Sequence, residues 1–332
     1  MLASLVILGF GADARAAPRS KQRITVAKQP VTVTLGADTT KPVVGEPVTL
    51  TFGVANGGAA TVSLRSGPLG NGAPDGFTVT VKGPKGGGTP VPPNPMAGNG
   101  GSGFIEIAPK TAAVDRILLP EWFTIAQAGR YTVTVARKLK LGGDAKTATD
   151  FPVRLELVLD VAVATPEKLG AAIDRLAARM LAADEEAGGA AAEALATIKD
   201  ARVVPHLVKA LALDWRRQFP AIRALADYPT PESLAALQKL LASVDFNTRI
   251  SAAQSIAAHK TDAGLAVLWG LRKDKNESMR LEVVHAIAHK NPPDAEAKLT
   301  EMSKDTSAMV SGEAKRHLAE RKKSGASQAP PR

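Results

Sequence analysis

The sequence predicts two folded parts of different class, an all-β sandwich in the N-terminal half and an all-α solenoid in the C-terminal half. Up to about residue 162, apolar residues alternate with a period of two, and Gly- and Pro-containing breakers separate the runs. After residue 187, apolar positions recur every 31 residues, and each period has room for two helices. A fixed period of this size indicates stacked helical hairpins.

The helical repeat is visible as columns of equivalent apolar residues. Three columns align: Leu225, Ile256, Ile287 and Leu318; Leu237, Leu268 and Leu299; Leu240, Leu271 and Met302. An earlier copy, which contains Leu195 and Leu207, is offset by 30 residues. Because equivalent residues in stacked repeats meet equivalent neighbours, we expect these columns to form a shared core. Trp215 and Phe246 also share a register position, and we interpret them as packing between repeats.

The β half is predicted from seven or eight short alternating runs, a number typical of sandwiches. The predicted inward positions are Val31, Val33, Leu35, Val48, Leu50, Phe52, Val54, Phe77, Val79, Val81, Ile105, Ile107, Tyr131, Val133, Val135, Val153, Leu155, Leu157 and Leu159. Residues 45–50 and 128–133 resemble a turn and a tyrosine corner of bacterial immunoglobulin-like domains. This resemblance implies an immunoglobulin-like sandwich over residues 23–162, with the Tyr131 hydroxyl bonded to upstream backbone. We expect Trp122 to be its large core aromatic.

The C-terminal half resembles a known repeat family. Residues 201–211 and 245–253 are similar to HEAT repeats of the phycobilisome-lyase-like kind, with an Asp near the turn, an Ala-rich first helix and a Leu-spaced second helix. The resemblance covers residues 187–323 and implies an α-solenoid of HEAT-like helical hairpins. Gln218 and Ser311 depart from the pattern, since they stand where other copies have Arg249 and Arg280.

The remaining segments are assigned by composition. Residues 1–16 are predicted to be a signal peptide, because an apolar run is followed by Ala14-Arg15-Ala16, a small-x-small cleavage pattern. Residues 17–22 are a leader, 163–186 a linker with a capping helix, and 324–332 a disordered tail. The apolar run is shorter than the roughly 20 residues of a transmembrane helix. We therefore expect a periplasmic or secreted protein with no transmembrane span.

Several kinds of site are not expected. The chain has no cysteine, which rules out disulfides, thiolate metal sites and cysteine nucleophiles. His285 and His289, with Glu282 one turn earlier, form the best metal-like pattern, but the repeat register turns them outward. The GxGxxG match at residues 98–103 lacks the strand and helix that a dinucleotide site requires. We expect no metal, no cofactor, no catalytic residues and no evident small-molecule substrate, and hence a protein that is not an enzyme.

The residues predicted to contact a partner lie on the second helices of the repeats. Trp269 occupies a position outside the apolar stripe, with Arg272 and Lys273 after it and with Gln238 and Lys239 at the matching place one repeat earlier. Exposed Trp and Arg are common anchors of protein interfaces.

The predicted function is an exported, non-catalytic scaffold that binds a partner protein, with the sandwich as a spacer or adhesion module. The net charge of +10 leaves an alternative open, a basic solenoid that binds polysaccharide or nucleic acid.

Overall fold

A computed structural model of the protein describes residues 6–9, 20–67, 71, 76–84, 88–93, 103–259 and 261–327. It divides into two compact units, Met1–Ile173 and Asp174–Arg332. The first is mostly β-sheet and the second is helical, which confirms the predicted fold class. The glycine motif at residues 98–103 lies outside the described residues except for Gly103.

Twelve strands are found among the described residues of the first unit. They are β1 (Val6–Gly9), β2 (Ser20–Val26), β3 (Gln29–Ala37), β4 (Thr49–Asn56), β5 (Val62–Ser66), β6 (Thr78–Lys82), β7 (Thr89–Pro90), β8 (Gly103–Ile107), β9 (Thr111–Leu118), β10 (Phe123–Thr124), β11 (Gly129–Gly142) and β12 (Thr149–Val161). One sheet has the order β1-β9-β4-β3-β2, and another has the order β12-β11-β5-β8 with β6 also paired to β11. Strands β10 and β7 form a separate pair.

The two large sheets contribute to one hydrophobic core, and the predicted inward residues are buried in it, with Ile105 partly buried at its edge. Trp122 belongs to this core, as predicted. The Tyr131 hydroxyl donates a hydrogen bond of 2.9 Å to the Gln127 carbonyl oxygen, the upstream bond that the tyrosine-corner pattern predicted. The wider assignment to immunoglobulin-like domains stays a prediction.

An ion pair lies inside the β core. Asp115 on β9 accepts a hydrogen bond of 3.0 Å from Arg137 on β11, and each side chain is 6% exposed. Burial raises the pKa of Asp115, because it disfavours the charged carboxylate, and the Arg137 guanidinium opposes that effect. The Arg137 guanidinium also lies 5.1 Å from the centroid of the Phe77 ring. The pair therefore joins strands of the two sheets through the core.

The described part of the predicted signal segment is strand β1. Its residues pair antiparallel with β9, from Val6 opposite Val114 to Gly9 opposite Thr111. The other residues of the segment lie outside the described part of the chain. In this structure β1 is an added strand of the first sheet, and cleavage after Ala16 would remove it. The signal peptide at residues 1–16 and export stay predictions.

The second unit is built from helices joined by short turns. The helices are α1 (Pro166–Met180), which spans the division between the units, α2 (Glu185–Thr197), α3 (Val204–Ala210), α4 (Trp215–Leu225), α5 (Pro231–Leu240), α6 (Phe246–Ala258), α7 (Ala263–Trp269), α8 (Glu277–Lys290), α9 (Ala295–Met302) and α10 (Ala308–Ser327). Helices α2, α4, α6, α8 and α10 are the first helices of successive repeats, and each packs on the next. Helix α10 extends four residues into the predicted tail, to Ser327.

The apolar columns form the core of the helical unit. Leu237, Leu268 and Leu299 are all fully buried, as are the members of the first column except Leu318, which is half-buried in the last helix. In the third column Met302 is buried, whereas Leu240 and Leu271 are half-buried. The 31-residue register therefore predicted burial correctly for the first two columns, with the exception of Leu318.

The Asp of the repeat pattern caps the first helices. The side chains of Asp184, Asp214 and Asp245 accept backbone N–H groups at the starts of α2, α4 and α6, and Asn276 does the same for α8. These bonds satisfy amide groups that have no partner within the helix. The bonds from Thr248 lower the pKa of the Asp245 carboxyl, because they favour its charged form.

Candidate binding surfaces of the helical repeats

Trp269, the central residue of the predicted site, ends helix α7 and is half-buried. The Arg272 guanidinium lies 4.9 Å from the ring centroid, and the Lys298 ammonium from α9 lies 5.5 Å from it. Both distances fall within the roughly 6 Å range of cation–π attraction. The ring is therefore held in place by one cation of its own repeat and one of the next.

The structure connects only part of the predicted site. Arg272 donates to the Trp269 carbonyl at 3.1 Å and to Glu301 at 3.0 Å, so it is engaged within the protein. Lys273, Gln238 and Lys239 are exposed, and the two cations that lie at the Trp269 ring are Arg272 and Lys298. A partner-binding role for these five residues stays a prediction.

Trp215 and Phe246 do not pack between repeats, so that interpretation is wrong. Trp215 is 58% exposed and Phe246 is 37% exposed. Each is the first residue of a first helix, α4 or α6, where the side chain leans away from the helix body toward the preceding turn. Val244, just before the cap of α6, is also fully exposed. We call Trp215, Val244 and Phe246 the aromatic edge.

Arginines accompany both rings of the aromatic edge. The Arg216 guanidinium lies 4.8 Å from the Trp215 centroid, and that of Arg249 lies 5.8 Å from the Phe246 centroid. Because α4 and α6 occupy equivalent places in adjacent repeats and pack together, the two rings stand at the same end of neighbouring helices. The edge thus presents two aromatic groups in register, each beside a cation.

A column of polar residues links the repeats behind these surfaces. Tyr228, His259 and Lys290 follow the first helices at intervals of 31 residues. The Tyr228 hydroxyl donates to the Ile198 carbonyl, and the Lys290 ammonium donates to the His259 carbonyl. The His259 ring makes its link to the preceding repeat through Nε2, which lies 2.9 Å from the Ser233 hydroxyl. Each member is therefore hydrogen-bonded to the preceding repeat, and we call the three residues the polar column.

His259 is the buried titratable centre of this column. Its Nε2 lies 2.9 Å from the Ser233 hydroxyl, and its Nδ1 lies 2.9 Å from the Thr261 hydroxyl. Burial lowers the pKa of His259, the nearby Lys290 ammonium lowers it further, and the bond to Tyr228 opposes both. Burial likewise raises the pKa of Tyr228, to about 12. Both groups are therefore neutral at pH 7.

We expect the stability of the helical unit to fall on mild acidification. Below about pH 6.5, His259 of the unfolded chain gains a proton, whereas the folded state resists protonation until its lower pKa is reached. The free energy of unfolding should therefore fall by up to about 1.4 kcal/mol per pH unit in that window. Urea unfolding at several pH values measures this slope. His259→Gln should lose that part of the slope, and an unchanged slope would contradict the assignment.

The metal-like pattern is spread over the surface. His285 is exposed, and its Nε2 lies 3.4 Å from the Glu313 carboxylate of the next repeat. The Glu282 carboxylate accepts a hydrogen bond from Gln254, and His289 is exposed. No group of three His, Asp or Glu side chains within the described ranges could hold a metal ion.

The two departures from the repeat pattern have different outcomes. Gln218 keeps a bridging role, because its amide donates to the Leu211 carbonyl at 2.7 Å while its oxygen accepts from Thr248 in the next repeat. The Ser311 hydroxyl donates to the Ser307 carbonyl at 2.8 Å, just before the start of its own helix. A residue other than Arg can therefore tie one repeat to the next.

Comparison with known proteins identifies the repeat. Residues 189–212 match the family model of the PBS lyase HEAT-like repeat. The matched segment contains most of α2 and all of α3, so it covers one HEAT-like hairpin of the solenoid. No curated protein matches the chain.

Three solved structures that are similar to the chain each match less than half of it. The CpcE–CpcF complex of phycocyanin lyase from Nostoc is 22% identical, with a TM-score of 0.36 and coverage of 45% of this chain and 98% of the other. An engineered protein is 27% identical, with a TM-score of 0.32 and coverage of 46% and 80%. Human deoxyhypusine hydroxylase in complex with glycerol is 17% identical, with a TM-score of 0.32 and coverage of 46% and 75%.

One prediction needs correction. The HEAT-like repeat that matches this chain is described as that of a lyase, which contradicts the prediction that the protein is not an enzyme. That prediction rested on the lack of a recognisable catalytic set, and a lack of motifs is weak evidence in a repeat fold whose copies diverge. Among the described residues, no helix is both long and apolar enough to cross a membrane.

Proposed function

We propose that the protein is a binding scaffold that docks a partner protein on the aromatic edge of its HEAT-like solenoid. The observation that carries the proposal is the exposure of Trp215 and Phe246 at equivalent places in two adjacent repeats, with exposed Val244 two residues before Phe246. Large exposed apolar side chains beside arginines have the composition of protein interfaces, in which Trp, Phe and Arg are enriched. Removing these side chains from water would stabilise a complex.

The charges at the edge favour a protein over an anionic polymer. Arg216 and Arg249 can meet acidic groups of a partner, but Asp214 and Asp245 lie directly before the two aromatic residues. Glu185 is also close, 3.5 Å from Arg216. A continuous polyanion would be repelled by these carboxylates, whereas a protein surface can place opposite charges against each of them. The partner is therefore expected to be a protein with an apolar patch and an acidic rim.

The proposal also includes export, supported by the apolar run and the small-x-small pattern at the N-terminus. The β-rich unit then acts as a spacer or adhesion module for the solenoid. A second candidate function, favoured by the repeat match at residues 189–212, is a role in a lyase-type assembly.

This candidate is tested with phycocyanin, which is named with one of the similar structures. Joint elution of phycocyanin and the full chain on size exclusion would support the candidate, and separate elution would oppose it.

The docking proposal is tested by comparing how much partner is captured by variants that lack particular aromatic side chains. The immobilised full chain is used to capture partners from an envelope extract, alongside Phe246→Ser, the double variant Trp215→Ser/Phe246→Ser, Trp269→Ala and Phe104→Ser. Phe104 is a matched control, since it is 37% exposed, as Phe246 is, but lies on β8. We expect the double variant to lose at least about tenfold of the retained partner, because two anchors are worth more than about 1.4 kcal/mol together.

Other outcomes assign the surface differently. Loss of binding in Trp269→Ala alone would move the interface to the second helices, where Trp269, Arg272, Lys273, Gln238 and Lys239 were predicted. Equal losses in Phe104→Ser and Phe246→Ser would mean that capture reflects general hydrophobicity, which contradicts the proposal.

A further inference from the structure

A cavity of about 800 Å³ lies in the β-rich unit. Its walls include Lys138 and Lys140 of β11 and Arg154 of β12, which alternate with buried residues and so belong to the outer face of their sheet. The volume falls within the range of small-molecule sites, roughly 300–1,000 Å³.

The cavity opens where β11 changes its neighbour. Residues 132–136 of β11 pair with β6, whereas residues 141–142 pair with β5. Residues 137–140 fall between these two registers, so β5 and β6 part along this stretch of β11. Thr78 at the start of β6 and Arg65 near the end of β5 line the two sides of the opening. The site is therefore a product of the strand order.

Basic side chains converge at this fork. Lys138 and Lys140 are two residues apart on β11, which places their Cα atoms about 7 Å from each other. Arg154 lies opposite Ala136, so it is diagonal to Lys138 across the strand pair. Arg65 follows Leu64, the partner of Leu141, and one more step of that register brings it across from Lys140. Like charges placed this close repel one another.

Carboxylates offset only part of this charge. Asp150 is the acidic residue of the lining, and its carboxylate lies 3.6 Å from the Lys138 ammonium. Arg154 pairs with Glu156 at 3.2 Å, and the lining residue Arg137 pairs with buried Asp115. Lys140 forms no ion pair with any described residue. The lining holds five basic residues and one acidic residue, so basic groups outnumber acidic ones around the cavity, and an anion bound at the fork would relieve the repulsion between them.

The geometry points to a binding pocket for a small oxyanion with more than one charge, of the phosphate type. Guanidinium and ammonium groups arriving from three strands can bond several oxygens of such an ion at once. Gln22, Ser66 and Thr78 in the lining add uncharged hydrogen-bonding groups. No aromatic ring is among the residues that line the described cavity, so a base or sugar ring would find no stacking partner there.

The test is isothermal titration of the full chain with inorganic tripolyphosphate at fixed ionic strength, with citrate and phosphatidic acid vesicles as comparison ligands. We expect one tripolyphosphate per chain, weaker binding of citrate, and no preference for vesicles over the free ion. Lys140→Gln should weaken tripolyphosphate binding about tenfold, the equivalent of 1.4 kcal/mol. Lys82→Gln is the matched control, because Lys82 is an exposed lysine on neighbouring β6 outside the cavity lining.

Lys140→Arg should keep most of the affinity, and an unchanged thermal unfolding midpoint should show that the variants are folded. Absence of binding at millimolar tripolyphosphate would overturn the proposal. So would equal weakening by Lys82→Gln and Lys140→Gln, since that result would mean general attraction to a basic protein. Tighter binding of citrate would exclude the phosphate type, and saturation only by vesicles would assign the basic cluster to a membrane surface.

Discussion

Leu268→Ala is expected to lower the free energy of unfolding of the helical unit by about 2–5 kcal/mol. Leu268 is fully buried in α7, which packs against α6 and α8, so its truncation opens a cavity within the stack. Because each repeat is stabilised mainly by its neighbours, the loss affects both adjacent interfaces. Urea unfolding followed by the helical circular dichroism signal measures the change.

Two control variants test whether the loss of stability comes from the buried volume of Leu268. Leu268→Met, which conserves volume, should cost less than about 1.5 kcal/mol. Leu181→Ala makes the same substitution at a leucine that is 53% exposed, and it should have little effect. If Leu268→Ala cost no more than Leu181→Ala, the column would not be the core of the stack.

Asp115→Ala is expected to destabilise the β-rich unit by about 3–5 kcal/mol, because it leaves the buried Arg137 charge without its carboxylate. Unfolding can be followed by the fluorescence of Trp122, a member of the same core, in a background of Trp215→Phe and Trp269→Phe. The double variant Asp115→Leu/Arg137→Met should recover most of the loss, since apolar residues of similar size need no compensating charge. A double variant as unstable as Asp115→Ala would contradict this account.

The same ion pair shows why part of the β half could not be predicted. Strand β9 has inward residues Ala113, Asp115 and Ile117, and a carboxylate in the middle of a short run hides its alternation. Arg137 interrupts the inward side of β11 in the same way. Only the folded structure, in which β9 and β11 face each other across the core, shows that the charges of buried Asp115 and Arg137 compensate each other.

The fork and its cavity could not be predicted for a related reason. Lys138, Lys140 and Arg154 are ordinary outward residues of β11 and β12, and the sequence does not specify that β11 exchanges β6 for β5 along this stretch. Convergence of side chains from distant strands depends on strand order, which alternation does not encode. By contrast, the burial of the helical columns needs only local spacing, and it was predicted correctly.

The surfaces of the repeats show the limit of register arguments. Equal register correctly placed Trp215 and Phe246 at equivalent positions, but it did not say whether that position is buried. Their place directly after the capping residues Asp214 and Asp245 was a usable signal, because the side chain of the first residue of a helix leans away from the body of its own helix. The spacing of 31 residues from Tyr228 to His259, and from His259 to Lys290, was a second usable signal, because it marks equivalent positions in successive repeats.

The polar column has a consequence for how the solenoid could change in length. Each donor needs only the backbone acceptor one repeat before it: Tyr228 uses Ile198, and Lys290 uses His259. Duplicating or deleting the 31 residues from one column member to the next would therefore leave every remaining donor an acceptor. Such a chain can grow or shrink in evolution by whole modules while the donors of the polar column keep their backbone acceptors.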